Sequence, residues 1–175
     1  MSGRVWRHAE SRKDRYRLVS DVMDALRPER RVGDWYVAGD VAWFCFAEEE
    51  HSDKNAVSDN FLRVALNGST GYGGLVWGIT DDSPRREGVS DGVWVSDNPE
   101  PPDFDPRVVS DPGYPLFFDP RCALPIPRVR AAVEEFCRLG TGDRPENIDW
   151  VPGRANGKRL DEPEDELVDE VDPFA

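Results

Sequence analysis

Several short stretches of this chain carry residue types that do chemistry elsewhere, and each is tested by what must surround it. Gly88-Val89-Ser90-Asp91-Gly92 matches the G-x-S-x-G pattern that lifts a nucleophilic serine on a strained turn. That turn needs a strand before it and a helix after it. Here Pro84-Arg85-Arg86-Glu87 precedes and the strand-like Val93-Trp94-Val95 follows. The base histidine should also come later in the chain, yet both histidines, His8 and His51, come earlier. His8-Ala9-Glu10 matches the H-x-E half of a zinc deaminase site, but the P-C-x-x-C half is missing; Pro120-Arg121-Cys122 lacks its second cysteine. Gly153-Arg154-Ala155-Asn156-Gly157-Lys158-Arg159 is one residue short of a phosphate-binding loop and lacks the Ser or Thr that would hold magnesium, so a basic turn is expected. Glu48-Glu49-Glu50-His51-Ser52-Asp53 has ligand types, but consecutive residues on a loop rarely converge on one ion.

Carboxylate pairs such as Asp81-Asp82 and Asp103/Asp105 have the types for general acid–base work. Thirty-five acids guarantee such pairs by chance, and nothing singles these out from ordinary surface charge. The expectation is a protein without catalytic activity, metal or cofactor. Five tryptophans, Trp35, Trp43, Trp77, Trp94 and Trp150, lie in apolar or strand-like contexts and are expected mostly in the core, with one or two left over as interface anchors.

The elements that must carry these residues follow from periodicity. Val19, Val22, Met23 and Leu26 put one apolar face on a helix over 14–26, stopped by Pro28. Trp35-Tyr36-Val37 and Val41 to Phe46 flank Ala38-Gly39-Asp40 as a hairpin or bent strand, and 48–60 is polar loop. Leu62, Val64 and Leu66 alternate into a turn at Asn67-Gly68-Ser69-Thr70-Gly71. The return strand over 72–80 has Leu75, Trp77 and Ile79 on one face, and its glycines 73, 74 and 78 suggest close packing against another element. From Asp81 to Pro127 the density of Pro, Asp and Gly predicts extended or turning chain, with short strands at Val93-Trp94-Val95 and Leu116-Phe117-Phe118. A second helix starts at Pro127, repeats Val129, Ala132, Val133, Phe136 and Cys137 at helical spacing, and ends at Gly140; Ile148-Asp149-Trp150-Val151 reads as a last strand.

The chain of 175 residues suits one domain. Its three cysteines, Cys45, Cys122 and Cys137, are odd in number and widely spaced, which favours a reducing compartment and a cytoplasmic location. The N-terminus is basic without the apolar stretch of a secretory signal, and no apolar run reaches a membrane span. Net charge is −13 and uneven: residues 1–32 hold nine Lys and Arg against five acids, while the segment 161–172 holds eight acids and no base. Such a surface repels nucleic acid and anionic lipid and attracts basic proteins.

The hairpin Phe61-Leu62-Arg63-Val64-Ala65-Leu66…Tyr72-Gly73-Gly74-Leu75-Val76-Trp77 is one of three segments with a family likeness. The others are Val95-Ser96-Asp97-Asn98-Pro99…Asp103-Phe104-Asp105-Pro106 and the helix that ends in Phe136-Cys137-Arg138-Leu139-Gly140-Thr141-Gly142-Asp143-Arg144-Pro145…Trp150. Together, over 33–160, they resemble immunity protein family one of bacterial polymorphic toxin systems. The resemblance implies an α+β domain that neutralises a cognate toxin, often a nucleic-acid deaminase, and it carries over no catalytic residues.

The expected organisation is a basic N-terminal helix segment (1–32), an immunity-like α+β domain (33–160) and an acidic disordered tail (161–175). The domain is expected as an antiparallel sheet of about five strands packed by two helices. The expected partner is a basic toxin domain, with no direct contact to nucleic acid or membrane. Its docking surface is placed on the proline-braced loop, through Asp97, Glu100, Asp103 and Asp105, with Trp94, Phe104 or Tyr114 as anchor; the acidic tail is a rival surface. Two alternatives stand beside this one. A secretion adaptor for a toxin would show an exposed apolar groove, and a carboxylate-dependent hydrolase would show a deep pocket around an acid of raised pKa.

Overall fold

A computed structural model of the chain describes residues 5–50, 52, 58–80, 83, 92–113 and 115–161. The serine motif at 88–91, Asp81-Asp82, His51 with Asp53, Tyr114 and the acidic segment from 162 onward lie outside the described residues.

Helix α1 spans Arg12–Ala25, and the side chain of Ser11 caps it by accepting from the Asp14 N–H at 3.1 Å. A small hairpin follows, β1 (Arg30–Val32) and β2 (Trp35–Val37), and then strand β3 (Val41–Phe44). The long hairpin is β4 (Asn60–Asn67) and β5 (Tyr72–Ile79), followed by β6 (Val93–Asp97). The short pieces β7 (Val109–Asp111), β8 (Leu116–Phe117) and β9 (Leu124–Pro125) lead into helix α2 (Ile126–Leu139), and β10 (Asp149–Pro152) comes last. The main sheet is antiparallel in the order β10-β6-β5-β4-β3, with β9 added beside the start of β5. The result is the α+β architecture expected from the sequence.

Alternation along β4 and β5 gives the sheet two apolar faces. Leu62, Val64, Leu66, Leu75, Trp77 and Ile79 meet the helices, where Val129, Val133 and Phe136 of α2 and Val19 and Met23 of α1 complete the larger core. α1 packs on α2 through this core, and the Arg15 guanidinium donates to the Cys137 carbonyl at 3.0 Å, a cation at the C-terminal end of α2. Gly140 then ends α2 in the left-handed conformation (φ 72°). The opposite face, Ala65, Val76 and Val95, is covered by the proline-rich excursion through Val108, Val109, Phe118 and Cys122. Glycine makes this cover possible: a Cβ built on Gly74 would stand 2.6 Å from the Phe118 ring. The glycines of β5, expected to mark close packing, do so without interrupting an eight-residue strand.

One expectation is corrected. The segments 35–37 and 41–46 do not pair with each other. β2 turns back on β1 through Gly33 (φ 60°) and Asp34, a two-residue turn in which glycine takes the left-handed position, while β3 pairs with β4. The tryptophans divide as expected, with most in or against the core and two exposed. Trp77 is enclosed, Trp94 and Trp150 are half-buried, and Trp35 and Trp43 are 79% and 54% exposed. Both of the exposed pair sit on peripheral strands, β2 of the small hairpin and β3 at the edge of the main sheet.

Candidate partner-binding surface

The loop that follows β6 is held at both ends. Asn98 is buried at its start, donating from Nδ2 to the Ala123 carbonyl at 2.6 Å while its side-chain oxygen accepts the Glu100 N–H at 3.2 Å. Pro99, Pro101 and Pro102 then restrict the backbone. At the far end the Pro106 carbonyl accepts from Asn67 Nδ2 at 2.9 Å and from Thr70 Oγ1 at 3.0 Å, which ties the loop to the β4–β5 turn. Arg107 completes the anchor in a left-handed backbone conformation (φ 48°), unusual for a residue with a Cβ. Three contacts hold it there: its N–H donates to Asp105 Oδ1 at 2.8 Å, its guanidinium forks onto Glu29, and its side chain lies 4.3 Å from the Phe117 ring centroid.

Glu29 is the hinge between this loop and the small hairpin. It takes both Arg107 nitrogens and the Tyr36 hydroxyl, the latter at 2.5 Å. The hydrogen bond from Arg107 holds its carboxyl below the ordinary range, and burial followed by the Glu29 contact raises Tyr36 above its own. The loop and the β1–β2 hairpin therefore form one connected surface. On it Phe104 stands edge-on to Tyr72 (centroids 5.8 Å apart, 82°) and remains 46% exposed, and Trp35, Tyr36 and Val32 project from the hairpin.

The residues expected to dock the toxin are not all brought together. Glu100, Asp103, Phe104 and Asp105 share the exposed loop. Asp97 is at the end of β6 and receives the guanidinium of Arg159 at 2.5 Å. Arg159 is 7% exposed and also forks onto Asp161 at 2.8 and 2.9 Å, so of the basic residues in 153–159 Arg159 turns inward as a strut while Arg154 stays exposed. Its backbone closes through Arg154 N to the Lys158 carbonyl at 2.8 Å, the basic turn expected there. Trp94 points to the helix side of the sheet, on the opposite face from Phe104 and Tyr72, with Arg144 stacked 3.9 Å from its ring centroid. Tyr114 lies outside the described residues.

The sequence reading missed Glu29, Tyr36, Trp35 and Arg107. The available signal was Val32-Gly33-Asp34-Trp35, whose Gly-Asp pair between apolar residues is a hairpin turn; the charged Arg30-Arg31 masked it. Among the described residues no three His, Cys, Asp or Glu side chains stand close enough to hold a metal ion, and no helix is long and apolar enough to cross a membrane. Among the described residues no disulfide joins Cys45, Cys122 or Cys137.

The structure is thus an α+β domain that carries an acidic, aromatic-bearing loop braced from beneath. The family comparison names the kind: the model described as Immunity protein Imm1 matches residues 19–152. That span covers most of the chain, from the first buried residue of α1 to the last strand, and the protein belongs to the Imm1 immunity protein family. No curated protein and no solved structure matches it.

Proposed function

We propose that this protein neutralises a cognate secreted toxin, of the nucleic-acid deaminase class, by forming a stoichiometric complex in the cytoplasm of the producing cell, without catalysis of its own. The observation that carries the proposal is the braced loop: Glu100, Asp103 and Asp105 face solvent around a half-exposed Phe104, on a backbone fixed by Asn98, Asn67 and the Arg107–Glu29 fork. A rigid loop loses little entropy on binding, exposed acids steer a basic partner, and an aromatic supplies the anchor. A toxin that acts on nucleic acid carries a basic face around its active site, which an acidic loop matches. Trp35 and Tyr36, joined to the loop through Glu29, extend the same surface.

The test is a pull-down and inhibition assay with the toxin domain encoded beside this protein. Tight one-to-one capture with loss of toxin activity is the expected result. Reversal of Glu100, Asp103 and Asp105 to lysine should then abolish protection. If protection survives the triple reversal, the loop is not the docking surface. Capture of only the region upstream of the toxin domain would instead establish a secretion adaptor.

A further inference from the structure

Arg63 lies in the middle of β4, between Trp43 on β3 and Val76 on β5, on the face covered by the proline-rich excursion. It is 5% exposed, yet Nη2 is enclosed with no hydrogen-bond partner, and among the described residues no carboxylate is in ion-pair contact with it. Asp111 acts on it only through space, and the Asp111 Oδ1 oxygen accepts the Gly113 N–H at 3.0 Å. Burial lowers the guanidinium pKa to about 10. A lone buried cation is strongly unfavourable and is retained in a fold only where something compensates it.

What covers this cation is a solvent-facing aromatic pair. The Trp43 ring centroid is 5.2 Å from the guanidinium carbon and 4.8 Å from the Phe61 ring, and β3 is the edge of the sheet. An exposed indole over a largely buried guanidinium, one nitrogen of which is enclosed and unpaired, has the parts of an interface hot spot: an aromatic that limits the access of water and a forked donor that lacks its acceptor. The chain carries a formal net charge of −13, which disfavours small free anions, so an acceptor delivered by a macromolecule held by other contacts fits best.

We infer that Trp43, Phe61 and Arg63 form a second contact site for the toxin, in which the indole swings aside and a toxin aspartate or glutamate side chain pairs with the Arg63 guanidinium. This rests on the neutralisation reading above. It adds a site on the sheet edge that is chemically the reverse of the acidic loop, so that the partner must present an acid at one place and bases at another. Two opposite requirements at fixed separation discriminate between toxins better than either alone.

The experiment measures affinity for the toxin domain encoded beside this protein, together with the melting temperature of the free full-length chain. The proteins compared are wild type, Arg63→Met, Arg63→Lys, Trp43→Ala and Asp111→Asn. Arg63→Met should melt no lower than wild type, because an apolar stem replaces an unpaired buried charge, while its affinity falls about a hundred-fold. Arg63→Lys keeps the charge but loses the fork and should bind about ten-fold more weakly. In a double-mutant cycle, one acid of the toxin should lose affinity when truncated against wild type and lose little against Arg63→Met. The inference is overturned if Arg63→Met binds as wild type does. It is equally overturned if Arg63→Met and Asp111→Asn both lower the melting temperature and leave binding unchanged, the pattern of an internal ion pair. Failure of the wild-type protein to bind the toxin at all would refute neutralisation itself, and this site with it.

Discussion

Truncating Phe104 should weaken toxin binding by an amount the structure bounds. A phenylalanine presents roughly 200 Å² of surface, and Phe104 is 46% exposed. A partner that covers it therefore removes about 90 Å² of apolar area from water, worth about 2 kcal/mol at about 25 cal/mol per Å². Phe104→Ala should accordingly raise Kd roughly thirty-fold. The loss should appear in the dissociation rate, because a buried anchor slows escape and does not steer approach. Reversing Glu100, Asp103 and Asp105 should act on the other rate, slowing association and removing its dependence on salt. The buried part of the ring rests on Tyr72 only edge-on, so the free variant should lose about 1 kcal/mol of stability at most, measured by urea denaturation. Surface plasmon resonance at two ionic strengths separates the two effects. If Phe104→Ala changes Kd less than three-fold while the unfolding slope is unaltered, the loop does not contact the toxin through this residue.

Trp77→Phe removes the indole donor that reaches the Gly142 carbonyl at 2.9 Å and leaves that buried oxygen unpaired, at a cost of about 2 kcal/mol in urea unfolding. Gly74→Ala forces a methyl group to within 2.6 Å of the Phe118 ring and should cost about 1–3 kcal/mol, read the same way. The Arg159 hydrogen bond holds the Asp161 carboxyl below its ordinary range, so its contribution is complete above the unfolded carboxylate range near pH 4 and is lost as pH falls through the folded value. Arg159→Met should therefore flatten the melting temperature against pH below about 4; parallel curves for variant and wild type would count against the strut. Burial pushes the Cys137 thiol up to about 12, so iodoacetamide at pH 8 should leave it unlabelled in the native protein and label it in urea.

How much of this was legible in the sequence varies with the force that shapes each part. The two helices and the β4–β5 hairpin were readable because each buries one face, and burial imposes a period of 3.6 or 2 on the chain. α2 begins at Ile126 with Pro127 in its first turn and ends at Gly140, as the residues required. The strand β7 and the cover it forms over Val76 and Val95 were not readable, since Val109-Ser110-Asp111 has no period and is held by tertiary contact with β4 and β8. The pairing of β2 with β1 was missed because β1 begins with the charged Arg30-Arg31 and the hairpin gains its position from Glu29 and Tyr36, a contact that joins residues far apart in sequence to Arg107. Within the proposed site the exposed acids of the loop were found from charge and proline content. The placing of Trp94 and Asp97 depended on which side of β6 each residue faces, and no feature of a five-residue strand next to prolines gives that.

The ending that gave the chain its family likeness has a structural use. Trp77 donates to the Gly142 carbonyl and Trp150 to the Pro145 carbonyl at 2.7 Å, while Arg144 lies on the Trp94 ring with burial lowering its pKa. The segment from Thr141 to Trp150 is thus pinned across the helix side of the sheet by two indole N–H groups and one stacked cation. Changes there should move stability and leave the choice of toxin alone. Under the proposed function, partner choice would fall to Phe104, Trp35, Trp43 and the acids around them, which sit on exposed loops and edges. A surface that the core does not constrain can change its partner without changing its architecture, so exchanges at these exposed positions should alter which toxin is bound while the melting temperature of the free chain holds.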